Sequence, residues 1–273
     1  MTISLAGRLV LVGAGKMGSA MLEGWLKEDI DPAKLAVIDP APSADVKSLI
    51  TQSAISLNPP ISGIADAEII VVAVKPQTAT DAMPAIAPLR SSRPLILSVV
   101  AGKTIAFFEE YFGSDAPIIR TIPNTPAAVG RAITAMAANK NVSSTQHALA
   151  RALLSAIGEV VTVAHERQID AVTALSGSGP AYVFLLTECL AEAGKKLGLP
   201  EELATRLARA TVSGSGELMR VSGLPAATLR QNVTSPKGTT HAALQVLMAE
   251  NGMMKLFEDA LAAAEKRSRE LAG

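Results

Sequence analysis

Along residues 8–163, short apolar runs rich in Val and Ile alternate with stretches of helical period. The runs at 8–12, 34–39, 68–74, 94–99, 117–122 and 132–137 predict strands. Several are apolar at nearly every position, as in strands of a parallel sheet covered on both faces by helices. Between them, the pattern predicts helices at 17–27, 77–89, 104–112 and 145–156. That alternation predicts a doubly wound α/β unit.

The pattern changes after about residue 165. No further strand is expected, and helical periods fill 166–175, 180–197, 201–219, 239–249 and 253–271. Pro180 and Pro200 sit near two of the helix starts, where the missing N–H costs little. The chain is therefore expected to divide into an α/β segment, 1–164, and an all-helical segment, 165–273. Pro40-Ala41-Pro42 and Asn58-Pro59-Pro60 read as loops, and no internal repeat is present.

The end of the first strand carries the first chemistry. Gly13-Ala14-Gly15-Lys16-Met17-Gly18 fits G-x-G-x-x-G between a strand and a helix. Gly13 permits a tight turn, Gly15 lets backbone approach a pyrophosphate, and Gly18 lets the helix pack close to the strand. The helix N-terminus presents N–H groups and partial positive charge to phosphates. An acid, Asp39, ends the next strand, in the region expected of a dinucleotide fold. Such an acid accepts from a ribose 2′-hydroxyl and leans toward NAD. Ser43 and Asn58 stand in nearby loops where they could meet a 2′-phosphate, so NADP stays open.

Ligands of open α/β sheets lie at the carboxyl ends of strands. Ala73-Val74-Lys75-Pro76, Val99-Val100-Ala101-Gly102 and Thr121-Ile122-Pro123-Asn124-Thr125-Pro126 all fall there and should line one crevice.

Two helical-half segments also look chemical. Ser176-Gly177-Ser178-Gly179-Pro180 forms a tight junction, as readily a packing turn as a ligand contact. Asn232-Val233-Thr234-Ser235-Pro236-Lys237-Gly238-Thr239-Thr240 leads into a helix. Its hydroxyls, Gly238 and the first-turn N–H groups suit a small carboxylate better than a plain helix cap would require.

Composition narrows the partners. The 273 residues carry 25 Lys plus Arg against 25 Asp plus Glu, which gives no electrostatic pull toward nucleic acid or a membrane surface. With one cysteine, Cys189, no internal disulfide is possible. Its apolar surroundings at 181–190 predict a buried position. His147, His165 and His241 have no metal-ligand spacing. Neither a signal peptide nor a membrane span is expected, which gives a cytoplasmic protein as the default.

The segments from Val172 to Tyr182 and from Leu229 to Leu247, with Ala73-Val74-Lys75-Pro76 and Thr121 to Pro126, closely resemble the signature segments of pyrroline-5-carboxylate reductases. The resemblance runs from Leu9 to about Leu271. It implies a Rossmann-type dinucleotide-binding domain at 1–164, followed by an all-α dimerisation and substrate domain at 165–273. It further implies reduction of L-1-pyrroline-5-carboxylate to L-proline with NADPH or NADH, the last step of proline biosynthesis. Gly13, Ala14, Gly15, Lys16, Met17 and Gly18 then form the phosphate loop, with Asp39 and Asn58 at the adenosine ribose. Ala73, Lys75 and Ala101 then flank the nicotinamide, and Val74, Pro76 and Gly102 beside them are further cofactor-binding candidates. Ser235, Gly238, Thr239 and Thr240 hold the imino acid, with Thr240 and Ser235 as catalytic candidates and Thr173 nearby. The family assembles as an interleaved homodimer, often as a decamer of five dimers. Two residues depart from its pattern. Lys237 stands where glycine is common, and Asp39 stands where many members tolerate a 2′-phosphate. The 3-hydroxy-acid dehydrogenases also join a dinucleotide unit to helices, but they need a lysine after a glycine-rich helix start. Tyr182-Val183-Phe184-Leu185 supplies none.

Overall fold

The computed structural model describes residues 3–272. Contacts divide it into two compact units. One holds the chain through Gly177 together with the segment from Glu265 onward; the other is Ser178–Ala264.

The first unit contains β1 (Arg8–Val12), α1 (Lys16–Lys27), β2 (Leu35–Ile38), α2 (Ala44–Gln52), β3 (Ser56–Leu57) and β4 (Ala67–Val72). It continues with α3 (Ala79–Ile86), β5 (Leu95–Ser98), α4 (Ile105–Phe112), β6 (Ile118–Ile122), β7 (Ala132–Ala138), α5 (Ser144–Ser155), β8 (Gly158–Thr162) and α6 (Gln168–Val172). The strands form one sheet in the order β3-β2-β1-β4-β5-β6-β7-β8. The chain runs outward from β1 through β2 to β3, then returns to build β4 on the other side of β1. That reversal is the switch point at which open α/β sheets bind ligands.

Alternating residues of the central strands feed two cores. Leu9, Leu11, Val37, Val71 and Leu97 pack with Met21, Leu22 and Trp25 of α1 and Leu153 of α5. Val10, Val12, Ile70, Val72 and Ile96 pack on the opposite face with Met83 and Ile86 of α3 and Phe108 of α4. Both faces are covered, which is why these strands read as continuous apolar runs. The Trp25 indole N–H donates to Leu153 O at 3.0 Å, so its burial leaves no polar atom unpaired.

The sheet departs from the parallel expectation at one place. β6 and β7 pair antiparallel. Only a short connection with a 3₁₀ turn at Thr125–Val129 joins them, too short for a parallel crossover of a dozen or more residues. Four elements had no sequence signal. β3 has two residues, and β8 lies at an edge with little buried surface. Helix α2 buries only Val46 and Ile50, and α9 (Ala226–Asn232) buries nothing. Elements with so narrow an apolar stripe produce no period.

The unit division also differs from a boundary near residue 164. Residues 165–177 pack with the sheet: Ile169 is fully buried beside Ile122, Ala135 and Ala137. The buried Arg120 guanidinium pairs with Glu166 at 3.1 Å, fixing the start of α6 to β6.

The second unit holds α7 (Gly179–Lys196), α8 (Glu201–Ser222), α9, α10 (Thr239–Leu247) and the first part of α11 (Met253–Ala272). Small residues let α7 and α8 approach closely. Ala191, Ala204 and Ala208 are buried between them, and a Cβ on Gly194 would stand 3.4 Å from the Ala204 Cβ. Most other apolar side chains here are exposed, among them Phe184, Leu185, Leu207 and Leu256. Cys189 is exposed too, contrary to expectation, because α7 buries only Ala191 within its own chain. The helical run Gln168–Lys196 is also long and apolar enough, by length and composition, to cross a bilayer, which the sequence reading did not foresee.

Candidate active site

The glycine turn follows β1 and opens α1. Gly13 has φ +88°, a left-handed conformation that glycine adopts without strain. A Cβ there would come within 2.9 Å of the Ala73 backbone and the Val74 side chain. A Cβ on Gly18 would stand 2.2 Å from Gly13 O. Both glycines are therefore fixed by packing inside the unit. Gly15 is different: it is exposed, and a Cβ on it would meet no atom within 4 Å. Nothing in this chain requires glycine at that position, and the open space above it suits a ligand backbone. Gly15 is the N-cap of α1 and makes no side-chain cap, so the first-turn N–H groups at Lys16, Met17 and Gly18 have no side-chain acceptor. The turn thus passes the test for a pyrophosphate cradle on geometry alone.

Asp39 is tied directly to this loop. Its Oδ2 accepts from the Ala14 N–H at 2.7 Å and its Oδ1 from the Ala41 N–H at 2.8 Å. Asn58 holds the Asp39 backbone from the other side. Its Oδ1 accepts from the Asp39 N–H at 2.9 Å, and its Nδ2 donates to Asp39 O at 2.8 Å. The Asn58 amide is thus engaged by Asp39, and the residue sits at φ +48°, which asparagine tolerates better than most. Ser43, weighed as a phosphate contact, instead caps α2 by accepting from the Val46 N–H at 3.3 Å.

The next strand ends stand beside the glycine turn. The Ala73 N–H donates to Val12 O at 2.7 Å, and the Val99 N–H to Val72 O at 3.0 Å. Ala73 and Val74 therefore stand against the glycine turn, with Lys75 and Pro76 exposed just beyond them. Ala101 and Gly102 follow β5, the next strand over. Asn124, after β6, falls in the Thr121–Pro126 segment expected at the crevice, though with no role of its own expected there. It is nearly buried; its Oδ1 accepts from the Ile133 N–H and its Nδ2 donates to Ser176 O. An Asn between two prolines at a crevice-facing strand end was the available signal. Ser176 lies in a π-turn, Thr173–Gly177, a rare widening of the helix often found at functional sites. Thr173 opens that turn, and its hydroxyl donates to Ile169 O at 2.7 Å.

The second unit presents the Ser235–Thr240 segment at the start of α10. The Gly238 N–H donates to Ser235 O at 3.0 Å and closes a turn before the helix. A Cβ on Gly238 would come within 3.2 Å of Ser235 O, so the turn is tight enough to favour glycine. Gly238 is the N-cap, so no N-cap side chain accepts from the first-turn amides at Thr239 and Thr240 among the described residues. Neighbouring Thr234 differs, since its hydroxyl donates to Arg230 O at 2.6 Å.

Lys237 occupies φ +59° in this turn. For an L side chain that conformation costs about 1–2 kcal/mol. Glycine would escape it at an extra backbone-entropy cost of about 0.5–1 kcal/mol. Lys237→Gly is therefore expected to raise stability by about 0.5–1 kcal/mol. A higher urea midpoint at unchanged m-value would show it. A lower midpoint would mean the lysine side chain makes a compensating contact.

A glycine turn on the switch point of a doubly wound sheet, joined to a helical unit with an uncapped helix start, defines a nicotinamide-dinucleotide-dependent oxidoreductase. Residues 166–271 match the family model for pyrroline-5-carboxylate reductase dimerisation, and residues 8–102 match the NADP oxidoreductase, coenzyme F420-dependent, model. The chain belongs to the pyrroline-5-carboxylate reductase family. It is 39% identical to the pyrroline-5-carboxylate reductase of Pseudomonas aeruginosa, over 97% of each chain. The solved pyrroline-5-carboxylate reductase of Coxiella burnetii superposes with a TM-score of 0.91 at 33% identity, covering 98% of this chain and 100% of that one. The pyrroline carboxylate reductase of Plasmodium falciparum, solved with NADP bound, gives 0.81 at 32% identity, covering 98% and 99%. The dimerisation match accounts for the exposed apolar helices. The bilayer-length run Gln168–Lys196 lies wholly within that matched segment.

Proposed function

We propose that this chain reduces L-1-pyrroline-5-carboxylate to L-proline, using NADPH or NADH, as a homodimer. The observation that carries this is the Ser235–Gly238 turn opening into uncapped α10. That helix start suits a small carboxylate, as the Gly13–Gly18 loop suits a pyrophosphate. A decamer of five dimers and a cytoplasmic location complete the proposal and rest on the family resemblance.

The pyrophosphate would lie on the Gly13–Gly18 loop, with Asp39 and Asn58 toward the adenosine ribose. Ala73, Val74, Lys75, Pro76, Ala101 and Gly102 would surround the nicotinamide. When bound, the dihydronicotinamide supplies a hydride to the imine carbon of the ring. The protonated ring nitrogen makes that carbon the better electrophile, and its N–H becomes part of the product amine. Ser235 and the Gly238–Thr240 amides hold the carboxylate. The Thr240 hydroxyl holds the ring nitrogen, and Thr173 shapes the surrounding wall. These residues contribute mainly orientation.

The test mixes the protein with the cyclic imino acid and either reduced cofactor, and follows loss of reduced-nicotinamide absorbance. Oxidation with at least one cofactor is expected, and none with 3-hydroxy acids and oxidised cofactor. No oxidation of NADPH or NADH overturns the reading.

A further inference from the structure

Resting on that reading of Ala101 and Gly102, we propose that the end of the C-terminal helix is a positioning clamp for the nicotinamide-flanking loop 99–104. Gly102 has φ +72°, and a Cβ on it would lie 3.0 Å from Leu271 O and 3.3 Å from the Leu271 Cβ. The last turns of α11 thus press directly on the loop. The same helix end is tied down a turn earlier. The buried Ser268 hydroxyl donates to Asp170 Oδ1 at 2.8 Å. Arg120 Nη2 approaches the same oxygen at 3.7 Å, and its Nη1 donates to Glu166 Oε1 at 3.1 Å. That Glu166 oxygen also accepts from the Ile105 N–H at 2.8 Å, where the loop becomes α4.

The loop is therefore gripped at both ends, at Gly102 by α11 and at Ile105 by Glu166. Both grips lead back to one guanidinium. Arg120 is 3% exposed and faces two carboxylates. Burying the Arg120 and Asp170 charges, with Glu166 partly exposed beside them, costs desolvation that apolar packing would avoid, so stability alone is a poor reason for the cluster. Helix α4 has its own cap, Thr104, which accepts from the Phe107 N–H at 3.3 Å, and Glu166 adds a separate acceptor for the Ile105 N–H. What a satisfied buried network adds is a single geometry. Here that geometry belongs to the segment against which the dihydronicotinamide would lie. Ser268, Asp170, Glu166 and Arg120 act through the loop and touch no reactant, so they are positioning residues.

The test uses Ser268→Ala and Ser268→Thr in the full chain, with cofactor deuterated at the transferred position. Ser268→Ala should lower kcat about tenfold, the scale of a small misplacement of reacting groups. It should raise the deuterium isotope effect and leave the KM for the imino acid near wild type, while the melting temperature falls by only about 3–10 °C. Ser268→Thr restores the donor and should return kcat to within about twofold. A chain ending at Lys266 loses both Ser268 and Leu271 and should show the larger isotope effect as well. A drop in kcat that merely tracks lost folded protein, with the isotope effect unchanged, overturns the clamp. Ala101→Val separates the two levels. If it weakens cofactor binding while Ser268→Ala leaves the isotope effect unchanged, the clamp alone falls. If it leaves cofactor binding unchanged, the loop does not meet the nicotinamide, and both ideas fall.

Discussion

Replacing Gly18 with alanine is expected to weaken NADPH and NADH binding at least a hundredfold and to lower the melting temperature. The added Cβ would lie 2.2 Å from Gly13 O. That oxygen is backbone, held in a turn whose own N–H donates to Ile38 O at 2.8 Å. No side chain can swing aside, so α1 must move away from β1. The first-turn amides then leave the place where phosphate oxygens would sit. Losing two hydrogen bonds to a charged group, at about 1.5 kcal/mol each, corresponds to roughly a hundredfold in affinity. Gly15→Ala provides the control. Its Cβ meets nothing within 4 Å, so the protein should melt like wild type. Any affinity that Gly15→Ala loses then reports the closeness of the ligand itself. Cofactor fluorescence titration and thermal melts of both variants separate the cases. Wild-type affinity in Gly18→Ala would show that the phosphates do not bind this loop.

Most of the sheet around the glycine turn was legible because it is buried on both faces. Strands such as Ile69-Ile70-Val71-Val72 have no polar alternation to blur them, although the apolar run goes on through Val74 while β4 stops at Val72. The G-x-G-x-x-G spacing then placed the loop at the switch point without further help. The polar organisation was harder to see. Asp39 and Asn58 stand 19 residues apart, and their mutual bonding depends on β2 and β3 pairing in register. The two-residue β3 carries no pattern, so the clamp on Asp39 could not be foreseen. Arg120 sits in the run Ile118-Ile119-Arg120-Thr121-Ile122, where it looks like an interruption. Its reason lies 46 and 50 residues on, at Glu166 and Asp170, beyond where the sheet segment was expected to end. In the helical half, apolar period located the helices but not what they face. Leu185 and Phe184 are exposed in a single chain and lie within the segment that matches the dimerisation model.

Thr240→Ala should cut turnover about a hundredfold while leaving cofactor affinity and melting temperature close to wild type. Thr240 lies in the first turn of α10, partly exposed, beyond an N-cap that supplies no side chain. The backbone there is already set by the Ser235–Gly238 turn, so removing one hydroxyl leaves the helix start in place. On the proposed reading, what disappears is a donor or acceptor at the ring nitrogen, where charge changes as the imine becomes an amine. Removing a single preorganised hydrogen-bonding group at such a centre typically costs about a hundredfold to a thousandfold in rate. The carboxylate contacts through Ser235 and the amides survive, so KM for the imino acid should rise far less than kcat falls. Thr240→Ser keeps the hydroxyl and should recover most of the rate. That pairing distinguishes a hydrogen bond from simple shape, because serine lacks the threonine methyl just as alanine does. If alanine and serine variants turn over alike, the methyl or the backbone is what matters, and the ring nitrogen has another partner.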